Sequence, residues 1–154
     1  MKARLDYMKH GAAAVKAMYG LETFVRNCGL EKSLLHLVKV RASQINGCAF
    51  CIDMHTEEAL ADGEHATRLF LLSVWRETSI FSEREQAALA WTEAVTLIAQ
   101  HGVPDDVYEK ASGIFTEEEL VNLNLAVTTI NSWNRFAITF HAPPALKAYQ
   151  KKQA

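Results

Sequence analysis

The 154-residue chain is 49% hydrophobic and 22% charged, and 16 Lys and Arg against 18 Asp and Glu leave a net charge of −2. That length and balance specify one domain, taken as 1–154, with room for a core of its own. A pI near 6.3, without a basic run or a basic patch interleaved with aromatics, excludes nucleic acid as a partner. No apolar run reaches the roughly 18 residues of a bilayer span, so no membrane is expected. Met1-Lys2-Ala3-Arg4-Leu5-Asp6 holds no apolar signal core, and a cytoplasmic location is expected. In that compartment three cysteines read as redox or metal chemistry rather than as a disulfide framework.

Between residues 7 and 28, Val15, Met18, Leu21 and Val25 fall at helical spacing, and Gly29 stands where that helix stops. A second helix is expected over 31–45, with Leu34, Leu35, Val38, Ala42 and Ile45 apolar and Asn46-Gly47 as its end. A third covers 48–62, closed by Gly63, and 65–74 reads as a short helix before the break at 75–79. Ser82 with Glu85, and Thr116 with Glu119, carry capping-box spacing: a hydroxyl accepts the third helical amide and a glutamate reaches back. The first box opens a helix through Leu89, Trp91, Val95 and Ile98 to about Gly102. The second opens a long helix through Leu120, Leu123, Val127, Ile130, Trp133 and Ala137, ended by Pro143-Pro144. Pro104 suits the first turn of a helix to Ser112, and a short helix is expected over 145–151. No stretch alternates with period two and no solenoid-length repeat is present, so the fold class is all-α, built of antiparallel helices.

The chemistry concentrates at Cys48-Ala49-Phe50-Cys51, followed by His55. If Cys48 opens a helix, about 100° per residue brings Cys48, Cys51 and His55 within roughly 60° of one another on one face. A thiol at a helix N-terminus feels the positive end of the dipole, which favours thiolate and singles out Cys48. A neighbouring imidazole can take or return the proton, and adjacency to His55 singles out Cys51. Together these describe a redox dithiol.

Blander readings exist for each residue. Buried free cysteines are common and inert. Cys48, Cys51 and His55, with His36 as a fourth ligand, could hold zinc, although Cys₂His₂ sites usually carry a longer loop between the pairs. His36 lies twelve residues before Cys48, and an antiparallel turn at Asn46-Gly47 could return it to the thiols; otherwise it is an ordinary packed histidine. Cys28 reads as structural, Trp75, Trp91 and Trp133 as core or subunit contacts, and Glu57-Glu58 as a solvated face.

The stretch 37–51 with His55 resembles the alkylhydroperoxidase AhpD-like members of the carboxymuconolactone decarboxylase superfamily, as do Trp75-Arg76-Glu77, residues 90–94 and residues 130–135. The resemblance implies an all-helical AhpD-like fold, trimers or hexamers, and reduction of hydroperoxides or general thiol–disulfide exchange with no cofactor and no metal. It implies Cys51 as the peroxidatic nucleophile, Cys48 as the resolving partner and His55 as part of a proton relay. An external dithiol or thioredoxin-like reductant would restore the pair. The relay position twelve residues before the first cysteine normally holds glutamate; here it is His36, expected to act as a substitute proton acceptor. Phe50 stands where better-studied members carry a histidine between the cysteines, making the site drier. Lactone decarboxylation, for which the superfamily is named, belongs to members that generally lack the cysteine pair.

Overall fold

The side chains of Asp6, Cys48, His65, Ser82 and Thr116 each accept from a free amide in the first turn of the helix that follows. The computed structural model describes residues 2–147 and 150, and among them it contains α-helices, one 3₁₀ segment and no strand. The helices are α1 (Tyr7–His10), α2 (Ala12–Arg26), α3 (Lys32–Asn46), α4 (Ala49–Ala61), α5 (Ala66–Leu71), α6 (Glu83–Thr96), α7 (Ile98–His101), α8 (Asp105–Ser112) and α9 (Glu117–Phe140), with the 3₁₀ segment at Leu72–Glu77. Both expected capping boxes form: Ser82 with Glu85 opens α6 and Thr116 with Glu119 opens α9. The all-α expectation holds.

Three expected helices are divided. The helix over 7–28 breaks at Gly11, whose φ of −112° and ψ of 33° are not helical, and where a Cβ would stand 2.9 Å from the Tyr7 carbonyl oxygen. The helix after Ser82 breaks at Leu97 (φ −99°, ψ 20°) into α6 and α7. The helix over 65–74 tightens into the 3₁₀ segment and leaves helical geometry at Val74. The long helix α9 ends at His141, in the left-handed conformation, two residues before the prolines. Of the short helix expected over 145–151, residues 148, 149 and 151 lie outside the described residues, and Leu146 is left-handed (φ 51°) rather than helical.

α3 is the axis of the assembly, packed against α4, α6 and α9. Leu34, Leu35 and Val38 enter one core with Ala88 and Trp91 of α6 and Leu123 and Val127 of α9. Leu37 and Val40 enter a second core with Ala59, Leu69, Leu72, Trp75 and Leu89. A helix apolar on both sides is buried on both. The tryptophan motifs are ties between these layers: the Glu93 carboxylate accepts from Trp75 Nε1 at 2.9 Å, from Arg41 Nε at 2.8 Å and from Arg76. Burial raises the Glu93 pKa, but these donors more than offset it and leave the carboxyl below its ordinary range.

The end of α3 determines where the cysteines stand. Gly47 turns left-handed (φ 68°), its N–H donating to the Gln44 carbonyl at 3.2 Å, while the Cys48 N–H donates to the Ser43 carbonyl at 3.0 Å. Asn46 Nδ2 donates to Asn131 Oδ1 and Asn134 Oδ1, each at 2.9 Å, and buried Asn134 donates to Ser43 Oγ at 3.0 Å. These amides fasten the turn to α9. A side chain at Gly47 has open space but the wrong backbone conformation. Gly47→Ala should therefore lower unfolding free energy by about 1–2 kcal/mol, with Gly47→Asn closer to the parent, as read by urea denaturation.

Candidate active site

Cys48 is the cap of α4 rather than its first helical residue. Its φ of −87° and ψ of 92° are extended, and its Sγ accepts a hydrogen bond from the Cys51 N–H at 3.3 Å. The two cysteines, with Cα atoms 5.3 Å apart, are joined as a disulfide. Both are almost fully buried, yet each lines an opening.

Cys51 and His55 line one cavity of about 240 Å³ with Tyr7, Tyr19, Phe50, Met54, Trp133, Glu22 and Arg26. Aromatic packing builds its wall: Tyr19 meets Trp133 at 5.4 Å between ring centres, and Tyr7 meets Phe136 at 5.6 Å. Burial, with Tyr19 and Asp6 nearby, pushes the Tyr7 phenol up, so it stays a neutral donor. Cys48 lines a separate groove of about 190 Å³ beside the end of α9.

His55 is buried, and its Nδ1 lies 2.8 Å from Glu58 Oε2, one turn along α4. The hydrogen bond from His55 holds the Glu58 carboxyl below its ordinary pKa against the opposing effect of burial. An ionised Glu58 only accepts, so Nδ1 carries the proton toward it and Nε2 is left as the basic nitrogen of the neutral ring. Arg26 approaches Glu58 at 3.7 Å and donates from Nε to Glu22 at 3.1 Å. Glu22 also pairs with buried Lys39 at 2.5 Å. Burial raises the Glu22 pKa, but Lys39 and then Arg26 more than offset it, so the group stays ionised below its ordinary range.

His36 is buried but lines neither opening next to the sulfurs. It lines a third cavity of about 380 Å³ with Lys32, Lys39, Glu58 and Asp62. Its Nε2 lies 2.7 Å from Asp62 Oδ2, which Lys32 also contacts at 2.7 Å, and its Nδ1 has no partner among the described residues. Hydrogen bonds from Lys32, then His36, keep Asp62 below its ordinary pKa. The four ligands of the zinc reading do not converge: the sulfurs bond to each other, and among the described residues no group of three or more His, Cys, Asp or Glu side chains could hold a metal.

The family model for the carboxymuconolactone decarboxylase family matches residues 11–94, a segment that runs from the start of α2 through the cysteine pair to Ala94 in α6. The chain belongs to the carboxymuconolactone decarboxylase family. It is 39% identical over 138 residues to the uncharacterized protein YdfG of Bacillus subtilis (strain 168), covering 90% of this chain and 94% of that one. Among solved structures it resembles ATU0492 of Agrobacterium tumefaciens, a protein of unknown function provisionally named an AhpD antioxidant defence protein. The TM-score is 0.92 at 44% identity, over 95% of this chain and all of that one. The debrominase Bmp8 shares the fold at a TM-score of 0.77 and 14% identity, over 89% of this chain and 74% of that one. The AhpD-like fold read from the cysteine segment is thus the observed one.

The structure bonds Cys48 to Cys51 and sets Cys51 and His55 on one cavity, with Cys48 on a separate groove and His36 on a third cavity. Two carboxylates escaped the sequence reading. Glu58 was assigned to a solvated face, although its place three residues after His55 is a helical contact distance. Glu22 reaches the site from α2, and no local spacing announces it.

The Glu22–Lys39 pair has a stability signature. A carboxyl with a lowered folded-state pKa stabilises above its ordinary value, roughly 4.3, and loses that contribution as pH falls through the lowered one. Glu22→Gln leaves the Lys39 ammonium buried without a counter-charge, which should cost roughly 3–5 kcal/mol at pH 7. The gap between variant and parent should narrow at an acid pH that has fallen through that lowered value, where the parent carboxyl is itself protonated. Urea unfolding at both pH values reads both effects.

Proposed function

We propose that the protein is a thiol-dependent peroxidase of the AhpD-like type, reducing organic hydroperoxides through Cys51. The observation that carries this reading is the bonded Cys48–Cys51 pair whose second sulfur shares a cavity with an imidazole held by a carboxylate. In the reduced protein His55 Nε2 accepts the Cys51 proton, while Glu58 fixes the ring and stabilises the imidazolium. The thiolate attacks the distal oxygen of the peroxide, the O–O bond breaks, and the departing alkoxide takes the proton from His55 and leaves as the alcohol. Cys51 is then a sulfenic acid. Cys48 attacks it, water departs, and the disulfide seen in the structure results. An external dithiol of the thioredoxin-like kind returns the pair to thiols by exchange.

The cavity supports an organic substrate rather than hydrogen peroxide. Tyr7, Met8, Tyr19, Phe50, Met54 and Trp133 supply a largely apolar and aromatic wall, and an alkyl or aryl group gains by entering it. The same reading carries a cytoplasmic location and a homo-oligomer, trimer or hexamer. It gives His55's partnership to Glu58, and keeps His36 only as a secondary proton acceptor through the neighbouring cavity. A general thiol–disulfide oxidoreductase would use the same two sulfurs, so the substrate is what separates the readings.

With reduced protein and excess dithiothreitol, turnover of cumene hydroperoxide should exceed that of both hydrogen peroxide and a model disulfide. Cys51→Ser should abolish it, and His55→Ala should lower it by about 10²–10⁴-fold, the usual worth of a positioned acid–base group. Glu58→Gln should cost more than His36→Ala; the reverse order would return the relay to His36. Full peroxidase turnover in Cys51→Ser would falsify the scheme.

A further inference from the structure

The two sulfurs face different openings. Cys51 and His55 line the aromatic cavity, and Cys48 lines the groove, with Phe50 the single residue common to both. We propose that the reductant and the oxidant use opposite mouths: a dithiol enters the groove and attacks Cys48, while the peroxide meets Cys51 in the cavity. The proposal rests on the reading that the pair cycles between thiol and disulfide.

The groove is built to admit a sulfur. Small residues, Gly47, Ala49 and Ala142, leave the space beside Cys48, and none of its lining residues is a carboxylate that would repel a thiolate. Glu22 lines the other cavity, where Arg26 is already paired with it. The groove's far wall is held in place. The Ala142 N–H donates to the Ala137 carbonyl at 2.9 Å, and the Leu146 N–H donates to Asp53 Oδ2 at 2.8 Å, which straps the segment after α9 onto α4. That strap carries His141, held left-handed at φ 55°, into the groove's lining. Cys48 itself caps α4, so an arriving thiolate approaches the positive end of a 13-residue helix.

The exchange balances as follows. One thiol of the dithiol gives its proton to the His141 imidazole, and its thiolate forms a bond to Cys48 Sγ. The Cys48–Cys51 bond breaks, its electron pair leaves on Cys51 Sγ, and that thiolate takes a proton from solvent in the cavity. The second thiol of the reductant, its proton lost to solvent, attacks the reductant's own sulfur in the mixed disulfide. Cys48 departs as a thiolate toward the Cys51 N–H that already faces its sulfur, and takes up the proton held on the His141 imidazole. The reductant ends as a disulfide, and the protein ends with two thiols.

The test starts from the disulfide form prepared with diamide, so no peroxide chemistry enters it. Acid quenching within milliseconds of adding excess 2-mercaptoethanol, followed by peptide mass mapping, should find the first adduct on Cys48; an adduct on Cys51 overturns the proposal. In parallel, Ala49→Trp narrows the groove and Met54→Trp narrows the cavity, both at exposed positions. Reduction by dithiothreitol should slow at least tenfold in Ala49→Trp and by less in Met54→Trp, whereas the opposite order sinks the two-mouth assignment. A protein that passes these tests but ignores hydroperoxides would overturn the peroxidase reading alone.

Discussion

Cys48 belongs to two helices at once, and the site depends on that double membership. Its backbone N–H closes α3 through the Ser43 carbonyl, and its sulfur caps α4 by accepting the Cys51 N–H. The two roles meet because Gly47 takes the left-handed conformation, which a residue with a Cβ adopts only at a cost of roughly 1–2 kcal/mol. No loop separates the helices, so the sulfurs have little freedom to drift. The Asn46, Asn131 and Asn134 amides then tie the junction to α9, the longest helix. Buried amides of this kind are expensive when unmatched and specific when matched, so the junction is fixed in register as well as in position.

The charges around Cys51 follow from α3. His36, Lys39 and Ser43 are separated by three and four residues, and they form a polar stripe on a helix whose other buried side chains are all apolar. Each member of the stripe finds a partner on a different element: Asp62 after α4, Glu22 on α2, and Asn134 on α9. A buried pair such as Lys39–Glu22 gains little net stability over an apolar replacement, since desolvating both ions offsets their attraction. Its location next to the aromatic cavity is more informative. Glu22 and Glu58 balance Lys39 and Arg26, so the proposed proton transfer from Cys51 to His55 would create a thiolate–imidazolium pair in surroundings that are already neutral and hydrogen-bonded. Such a preorganised wall has little to rearrange when the charge separates.

Most of the fold was legible in the sequence because its signals are local. Capping boxes at Ser82 and Thr116, the Asn46-Gly47 stop and the apolar spacings of α3 and α9 each act within a turn or two. The misses are also local, but they oppose a continuing pattern. Gly11 and Leu97 interrupt helices whose apolar spacing runs on, so periodicity alone passes over them. In the site, the cysteines and His55 share one helix face and could be found by arithmetic. Glu58 obeys the same arithmetic, but its acidic neighbour Glu57 made the pair look like a solvated face. Glu22 could not be found that way, because its partner Lys39 is 17 residues distant and on another helix. His36 has a register relative to Cys48 that matches the family's relay position, and the way α3 and α4 pack sets its ring against Asp62, a contact that spacing does not announce.

The scaffold does not by itself choose the reaction, since a debrominase shares it at low identity. The choice is made by what the helices bring to one place. A sulfur at the second position of the motif is useful only if its proton has somewhere to go, and His55 supplies that only if its ring is held in one tautomer. Glu58 performs the holding from the same helix, so the proposed nucleophile, base and orienting carboxylate all lie on α4. α2 and α9 then bring Tyr19 and Trp133 against that unit, closing an apolar wall around it. In the proposed mechanism the first acceptor of the Cys51 proton lies on α4, so a histidine at position 36 on α3 leaves that pair in place.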